Sequence, residues 1–241
     1  MHFVILAAGI GRRMHPLTED RPKALLPFRG RTLLSRFLDQ IGTLPGASVA
    51  VVAGFEHEKV EAEVSAHPLS RAVRVVRNPR YLEDTNVLSV KLALDADCRP
   101  CTIIEADILL SDAAFAAVAA SPAERSVWYT AGRFDPSQLG GILRADEAGR
   151  VVDLQVVPRY EPAWAGYKKL IGLLKIGPGQ LDRYARELAR AADASVGQYY
   201  LAPWIDHLPE LESYEQELPL SGCRSFNTVA EFESALATFD A

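Results

Sequence analysis

Five short runs in the first half of the chain are rich in β-branched and apolar residues: VILAA (4–8), SVAVVAG (48–54), VRVV (73–76), CTIIEAD (101–107) and SVWYTA (126–131). Several are apolar almost throughout, as strands are when both faces of their sheet are covered. Between them, LLSRFLDQI (33–41), HEKVEAEVSAH (57–67), NVLSVKLALDA (86–96) and DAAFAAVAA (112–120) have helical spacing. Asp84 and Thr85 stand where the third helix would be capped, and Ser111 stands before the fourth. This alternation predicts an α/β fold with a mostly parallel sheet and right-handed crossovers.

After about residue 130 the pattern changes. GGILRADEAGRVVDLQVV (140–157) reads as a hairpin turning around 147–149, and KKLIGLLKIG (168–177) as a strand. Helical spacing resumes at QLDRYARELARAA (180–192), QYYLAPWIDHLPEL (198–211) and VAEFESALATF (229–239). No internal repeat, Gly/Ser linker or low-complexity tail divides the chain. Residues 1–241 therefore read as one domain, with the later strands extending the first sheet and walling its site.

A chain of 241 residues can bury one large core, and its net charge of -5 sets it apart from general nucleic-acid binders. No apolar run approaches the ~20 residues of a membrane span. The start lacks a signal-peptide pattern, so the expected location is cytoplasmic. Cys98-Arg-Pro-Cys101 has redox spacing, but it falls between a helix end and a strand start, not at a helix N-terminus that would lower a thiol pKa. No second Cys/His pair completes a zinc set.

The first strand runs into Ala7-Ala8-Gly9-Ile10-Gly11-Arg12-Arg13-Met14, with Arg21-Pro22-Lys23 soon after. Two closely spaced glycines let backbone N–H groups approach phosphate, and the cations supply charge. Met14 occupies the third position of a dinucleotide fingerprint, and no GK[ST] follows, so neither that motif nor a Walker loop is present. The longer string L-A-A-G-x-G-x-R-M, then P-x-T-x-x-x-P-K-x-L-L, resembles the sugar-phosphate nucleotidyltransferase family. Asn78-Pro-x-Tyr81, Thr85-Asn86, Ser89 and Ala93 are similar to a pattern of its phosphocholine cytidylyltransferase-like branch. Glu105-Ala106-Asp107 falls where that branch ends a strand with a metal-binding Asp.

The resemblance implies a Rossmann-like nucleotidyltransferase fold and transfer of a nucleotidyl group from an NTP to a phosphorylated acceptor, with release of pyrophosphate. Residues 1–130 would mainly bind nucleotide and 131–241 the acceptor. Leu6, Ala7, Ala8, Gly9, Gly11 and Arg12 would line the nucleotide site. Arg13 would neutralise the β- and γ-phosphates, and Lys23 would act where charge develops near the α-phosphate. Asp107, at a strand's carboxyl end, would hold Mg²⁺. Glu105 alternates to another face and is counted with the nucleotide site.

Asn78, Thr85, Asn86 and Ser89 would read the base or ribose, and their branch favours CTP among pyrimidine NTPs. The family's second metal-binding Asp, just before the last helix, is Asn227 here. An amide oxygen can bind Mg²⁺ but brings no charge, which leaves Asp206, Glu231 or water to compensate. Sugar-1-phosphate members carry a Lys after the hairpin in a Glu-Lys-Pro context, whereas this chain has Gln155-Val156-Val157-Pro158. Arg159, Lys168 or Lys169 is then expected to meet the acceptor phosphate instead. Tyr160, Lys168, Tyr199 and Trp204 are the expected acceptor contacts, rings of this kind suiting a quaternary ammonium. The expected partners are thus CTP and a small phosphorylated or phosphonate acceptor. A sugar-1-phosphate transferase using UTP or dTTP is one alternative, and a regulator that binds nucleotide without turnover is another. Oligomeric state is not legible.

Overall fold

The alternation of the first half becomes one side of an open sheet. In the computed structural model, which describes residues 1–239, β1 (His2–Ala7) is followed by a small hairpin, β2 (Pro27–Phe28) and β3 (Arg31–Thr32). There follow α1 (Leu33–Gly42), β4 (Ser48–Ala53), α2 (His57–Ala66), β5 (Val73–Arg77), α3 (Val87–Ala96) and β6 (Cys101–Glu105). The next elements are β7 (Ile108–Leu110), α4 (Asp112–Ala119), β8 (Val127–Arg133), β9 (Gly140–Ala145) and β10 (Val151–Val157). The chain closes with β11 (Lys168–Ile176), α5 (Pro178–Ala194), α6 (Ala202–Asp206), β12 (Tyr214–Glu217), β13 (Cys223–Ser225) and α7 (Val229–Thr238).

Among the described residues, nine strands form one mixed sheet, in the order β10-β9-β11-β6-β1-β4-β5, with β8 branching from β11 and β12 pairing with β8. The strands β6, β1, β4 and β5 are mutually parallel. β4 lies on one side of β1 and β6 on the other, so the crossovers reverse direction there. Such a switch point opens a crevice beyond the carboxyl ends of the strands, where open α/β sheets bind ligands. β11 runs antiparallel to β6 and carries the second half of the chain onto the same sheet.

Helices cover both faces of this sheet, which is why its central strands are apolar on both sides. Phe3, Ile5, Val49 and Val51 pack on one face with Leu34, Phe37 and Phe115; Val4, Ala50, Val52 and Ile103 pack on the other with Val90, Leu181 and Trp204. A third cluster joins Met14, Leu26, Phe28, Leu109, Phe226 and Phe232 beneath α7. The methionine that ends the glycine-loop motif is thus an anchor tying that loop to the last helix.

Most expected elements fall within one or two residues of their observed bounds. The run 101–107 is cut, because β6 ends at Glu105 and frees Asp107 from the strand. The expected helix over 198–211 is only Ala202–Asp206. Tyr199 and Tyr200 stay in a loop whose Tyr200 N–H donates to Asn86 Oδ1 at 2.8 Å, and Pro203 restricts where a helix can start. Ser111 caps α4 by accepting from Ala114 N–H. At α3 the capping carboxylate is Asp84, which accepts from Leu88 and Ser89 N–H at 3.0 and 2.9 Å, while the Thr85 hydroxyl goes elsewhere. Cys101 is buried in β6 and desolvation pushes its thiol up to about 12, which keeps it protonated. No helix among the described residues is long and apolar enough to cross a membrane.

Candidate active site

The carboxyl ends of β1 and β6 meet at a cleft of about 320 Å³. Its lining includes Leu6, Ala7, Ala8, Gly9, Gly11, Arg12, Arg13, Lys23, Thr85, Asn86, Ser89, Glu105 and Asp107. The glycine turn is fixed from within. Gly11 has φ +71°, its carbonyl accepts from the Thr18 hydroxyl at 2.9 Å, and a Cβ there would lie 2.8 Å from Lys23 Cγ. Glycine therefore serves two ends here: a left-handed backbone, and close passage of the lysine stem.

Lys23 reaches across the cleft to Asp107, with Nζ 2.9 Å from Oδ2 and side chains only 15% and 22% exposed. Asn227 joins them: its Oδ1 accepts from an Arg13 guanidinium N–H at 2.6 Å and lies 3.5 Å from Lys23 Nζ. Residues more than two hundred positions apart meet here for a traceable reason. β13 pairs antiparallel with β7, Ser225 opposite Ile108, and Phe226 N–H donates to the Asp107 carbonyl at 3.1 Å. Phe226 then packs on Phe232 of α7 with ring centroids 4.9 Å apart. The turn between β13 and α7 is thereby pinned beside the end of β6. Glu231, considered above as a source of compensating charge, instead closes the capping box of α7 with Thr228.

Among the described residues, no three His, Cys, Asp or Glu side chains cluster as a metal-binding set. The chain offers the Asp107 carboxylate and the Asn227 amide oxygen. That sparse pair of oxygen donors fits Mg²⁺, which keeps waters and is typically held by one or two carboxylates together with substrate phosphates.

Glu105 stands between the cleft and an adjoining pocket of about 150 Å³, and it lines both. Desolvation, then the like charge of Asp107, pushes its carboxyl up to about 7, and the hydroxyl of buried Tyr200 faces it. A Cβ on Gly172, whose φ is +76°, would come within 2.9 Å of Glu105 Cβ. The second pocket is lined by Arg13, Leu139, Gly141, Lys169, Tyr199 and Tyr200, among others.

Not every expected residue reaches the site. Asn78 is 1% exposed and lies outside the cleft lining, its amide spent on Asp84 (2.7 Å) and Ser89 Oγ (3.0 Å) and its oxygen on Arg80 N–H (2.9 Å). It shapes the loop before α3, which presents Thr85 and Asn86 to the cleft. Trp204 is fully buried against Trp128 and Tyr184, and Tyr160 packs on Phe134 in a separate cluster. Lys168 is held between Glu215 (3.1 Å) and Glu217 (2.9 Å). Of the expected acceptor contacts Tyr160, Lys168, Tyr199 and Trp204, only Tyr199 lines the second pocket. Lys169, one of the three cations expected for the acceptor phosphate, lines it too, and the glycines on its wall were the less visible members. A glycine inside a strand pattern, as at 172, signals close approach and marks such a wall.

Taken together, an open α/β sheet whose switch point carries a glycine turn, a lysine and the Asp107 carboxylate defines a Rossmann-like nucleotidyltransferase domain. Residues 3–213 match the MobA-like NTP transferase domain family, and the chain belongs to it. The bifunctional protein GlmU of Cupriavidus necator is 30% identical over 209 residues, which cover 86% of this chain and 44% of that protein. The chain thus spans less than half the length of that curated relative. The 2-aminoethylphosphonate cytidylyltransferase of Lancefieldella rimae is 34% identical over 110 residues, 45% of this chain and 44% of that one. The CTP:phosphocholine cytidylyltransferase of Streptococcus pneumoniae has the same fold, with a TM-score of 0.80 at 21% identity over 98% of both chains.

Proposed function

We propose that the protein transfers CMP from CTP to a small phosphorylated or phosphonate acceptor bearing an amine, with release of pyrophosphate. The observation that carries this reading is the meeting of Lys23, Asp107, Arg13 and Asn227 around one point of the cleft. In the reaction, an acceptor phosphate oxygen forms a bond to the α-phosphorus, and the bond from that phosphorus to the bridging oxygen breaks. The electron pair leaves with pyrophosphate. A phosphate monoester has a second pKa of about 6, so the attacking oxygen is already anionic near neutral pH and no general base is required.

The chain's own groups do positional and electrostatic work. Backbone N–H groups of residues 8–11 cradle the phosphates, Arg13 meets the β/γ end, and Lys23 meets charge that grows on the α-phosphate oxygens. Asp107, with Asn227 as a neutral oxygen donor, would hold Mg²⁺, which supplies Lewis-acid neutralisation of phosphate charge when bound. Asn86 has its oxygen engaged by Tyr200 N–H, so it offers amide donors, which suit the N3 and O2 acceptors of cytosine.

A second reading, transfer of UMP or dTMP to a sugar 1-phosphate, is favoured by one observation. Trp204 and Tyr160 are packed away from the acceptor pocket, so the expected aromatic cage for an amine is not assembled. The test is competition between phosphocholine, phosphoethanolamine, 2-aminoethylphosphonate and glucose 1-phosphate, followed by pyrophosphate release with CTP, UTP and dTTP. The amine-bearing acceptors with CTP are expected to win. A preference for glucose 1-phosphate selects the second reading, and no turnover with any NTP selects a nucleotide-binding regulator.

A further inference from the structure

We infer that Lys169 holds the phosphate or phosphonate of the acceptor and is the specificity-determining cation of the acceptor pocket; this rests on the nucleotidyl-transfer reading above. Three cations lie from the end of the hairpin to the first two residues of β11. Arg159 is on the surface, its side chain 79% exposed and paired with Glu161 at 3.2 Å. Lys168 is neutralised by Glu215 and Glu217. Lys169 is adjacent in sequence yet lines the second pocket, as alternation along a strand requires of one neighbour or the other.

Lys175 of the same strand is also desolvated and held by oxygens without an ion pair among the described residues, but Lys169 differs in lining a pocket. Its Nζ donates to two carbonyls, Gly141 at 3.2 Å and Leu170 at 3.0 Å, which orient the ammonium but bring no countercharge. An ammonium has three protons to place. Among the described residues no carboxylate lies within ion-pair distance, and Glu105 and Asp107 act on it from further away. Desolvation pulls its pKa below the usual lysine value, so holding a positive charge there is costly. A cation kept in such a place, at the wall of a pocket of about 150 Å³, is matched by an anion entering that pocket.

The reacting end of the acceptor fits this role. Arg13 and Glu105 line both the nucleotide cleft and this pocket, and Asn227 lines the pocket while bonded to Arg13. An anion on Lys169 would therefore lie in a pocket that shares Arg13 and Glu105 with the cleft of the Lys23–Asp107 pair, on the side from which in-line attack on the α-phosphate can come. The wall around it is glycine, and a Cβ at Gly141 would strike Leu170 Cδ1 at 2.8 Å. The body of the acceptor would then lie toward Leu139 and Tyr199, which are 52% and 45% exposed at the pocket rim.

The experiment compares Lys169→Met, Lys169→Arg and the surface control Arg159→Ala. Pyrophosphate release is measured with 2-aminoethylphosphonate or phosphocholine varied at saturating CTP, then with CTP varied at saturating acceptor. Losing one charge-assisted contact is expected to raise the acceptor KM roughly 10–100-fold in K169M, with the CTP KM within about twofold of wild type. K169R recovers part of the loss, and R159A changes neither constant. Methylphosphonate titrated by NMR into the CMP-bound protein is expected to bind more weakly to K169M by a similar factor.

An acceptor KM unchanged in K169M, a parallel rise in both KM values, or undiminished methylphosphonate binding overturns the proposal. If wild type transfers to no acceptor, the nucleotidyl-transfer reading fails on its own, and the methylphosphonate titration still decides the role of Lys169. If K169M does not fold, as judged by circular dichroism and its urea midpoint, Lys169→Gln goes through the same series.

Discussion

Replacing Lys23 by Ala separates transition-state work from binding. Its ammonium lies 2.9 Å from Asp107 and 3.5 Å from Asn227 Oδ1, at the centre of the cations and oxygens of the cleft. A fixed donor aimed at charge that develops during transfer is worth about 10²–10³ in kcat, or about 2.7–4 kcal/mol. The Lys23–Asp107 pair is mostly buried, so losing the ammonium leaves the Asp107 carboxylate uncompensated and costs more than the roughly 0.2–1 kcal/mol of an exposed pair. Lys23→Ala is thus expected to lower kcat by roughly 10²–10³-fold and also to lower the urea midpoint. Lys23→Met keeps the stem that passes Gly11, so an equal loss in both variants assigns the effect to the charge. The assay is pyrophosphate release at saturating CTP, paired with direct CTP titration. An unchanged kcat with a raised KM for CTP would refute the reasoning, because it would make Lys23 a ground-state contact only.

Two further perturbations probe the carboxylates. Asn227→Asp puts a charge beside Arg13 and Lys23, so the Mg²⁺ concentration for half-maximal turnover is expected to fall, and excess EDTA to stop turnover; an unchanged or higher Mg²⁺ requirement means that Asn227 does not serve the metal. Glu105 has a folded-state carboxyl raised from 4.5 to about 7, so in metal-free protein its favourable protonated form is fully present below 4.5 and is lost as pH rises through about 7. Glu105→Gln is therefore expected to gain stability relative to wild type as pH rises from 5 to 8. Urea melts in EDTA at the two pH values check it, and a difference that does not change with pH refutes it.

Much of the fold was legible because its signals are local. Runs of β-branched residues, helical spacing and a serine before a helix are fixed by neighbours a few positions away, and they placed β1, β4, β5, β6 and α1 to α4 within a residue or two. The cleft at the ends of β1 and β6 was legible for the same reason. A glycine turn, its arginines and the Pro-Lys that follow lie within the first 23 residues and are joined by bonds such as Thr18 to Gly11. Asp107 needed only its position after an apolar strand.

What only the tertiary structure decided are the partners that arrive from far along the chain. Whether Asn78 faces ligand or protein depends on Asp84 and Ser89 closing on it from the start of α3. Lys168 and Lys169 are the same residue in adjacent positions. The strand pleat and the carboxylates of β12 assign one to ion pairs and the other to a pocket. Aromatic residues carry no local sign of burial, and Trp204 went to the core because Trp128 and Tyr184 meet it there. Asn227 lies beside Asp107 because β13 pairs with β7 across more than a hundred residues. Periodicity reports which side of an element is apolar, but which other element covers that side is a long-range choice made by packing, and the pocket around Lys169 and Tyr199 is built from such choices.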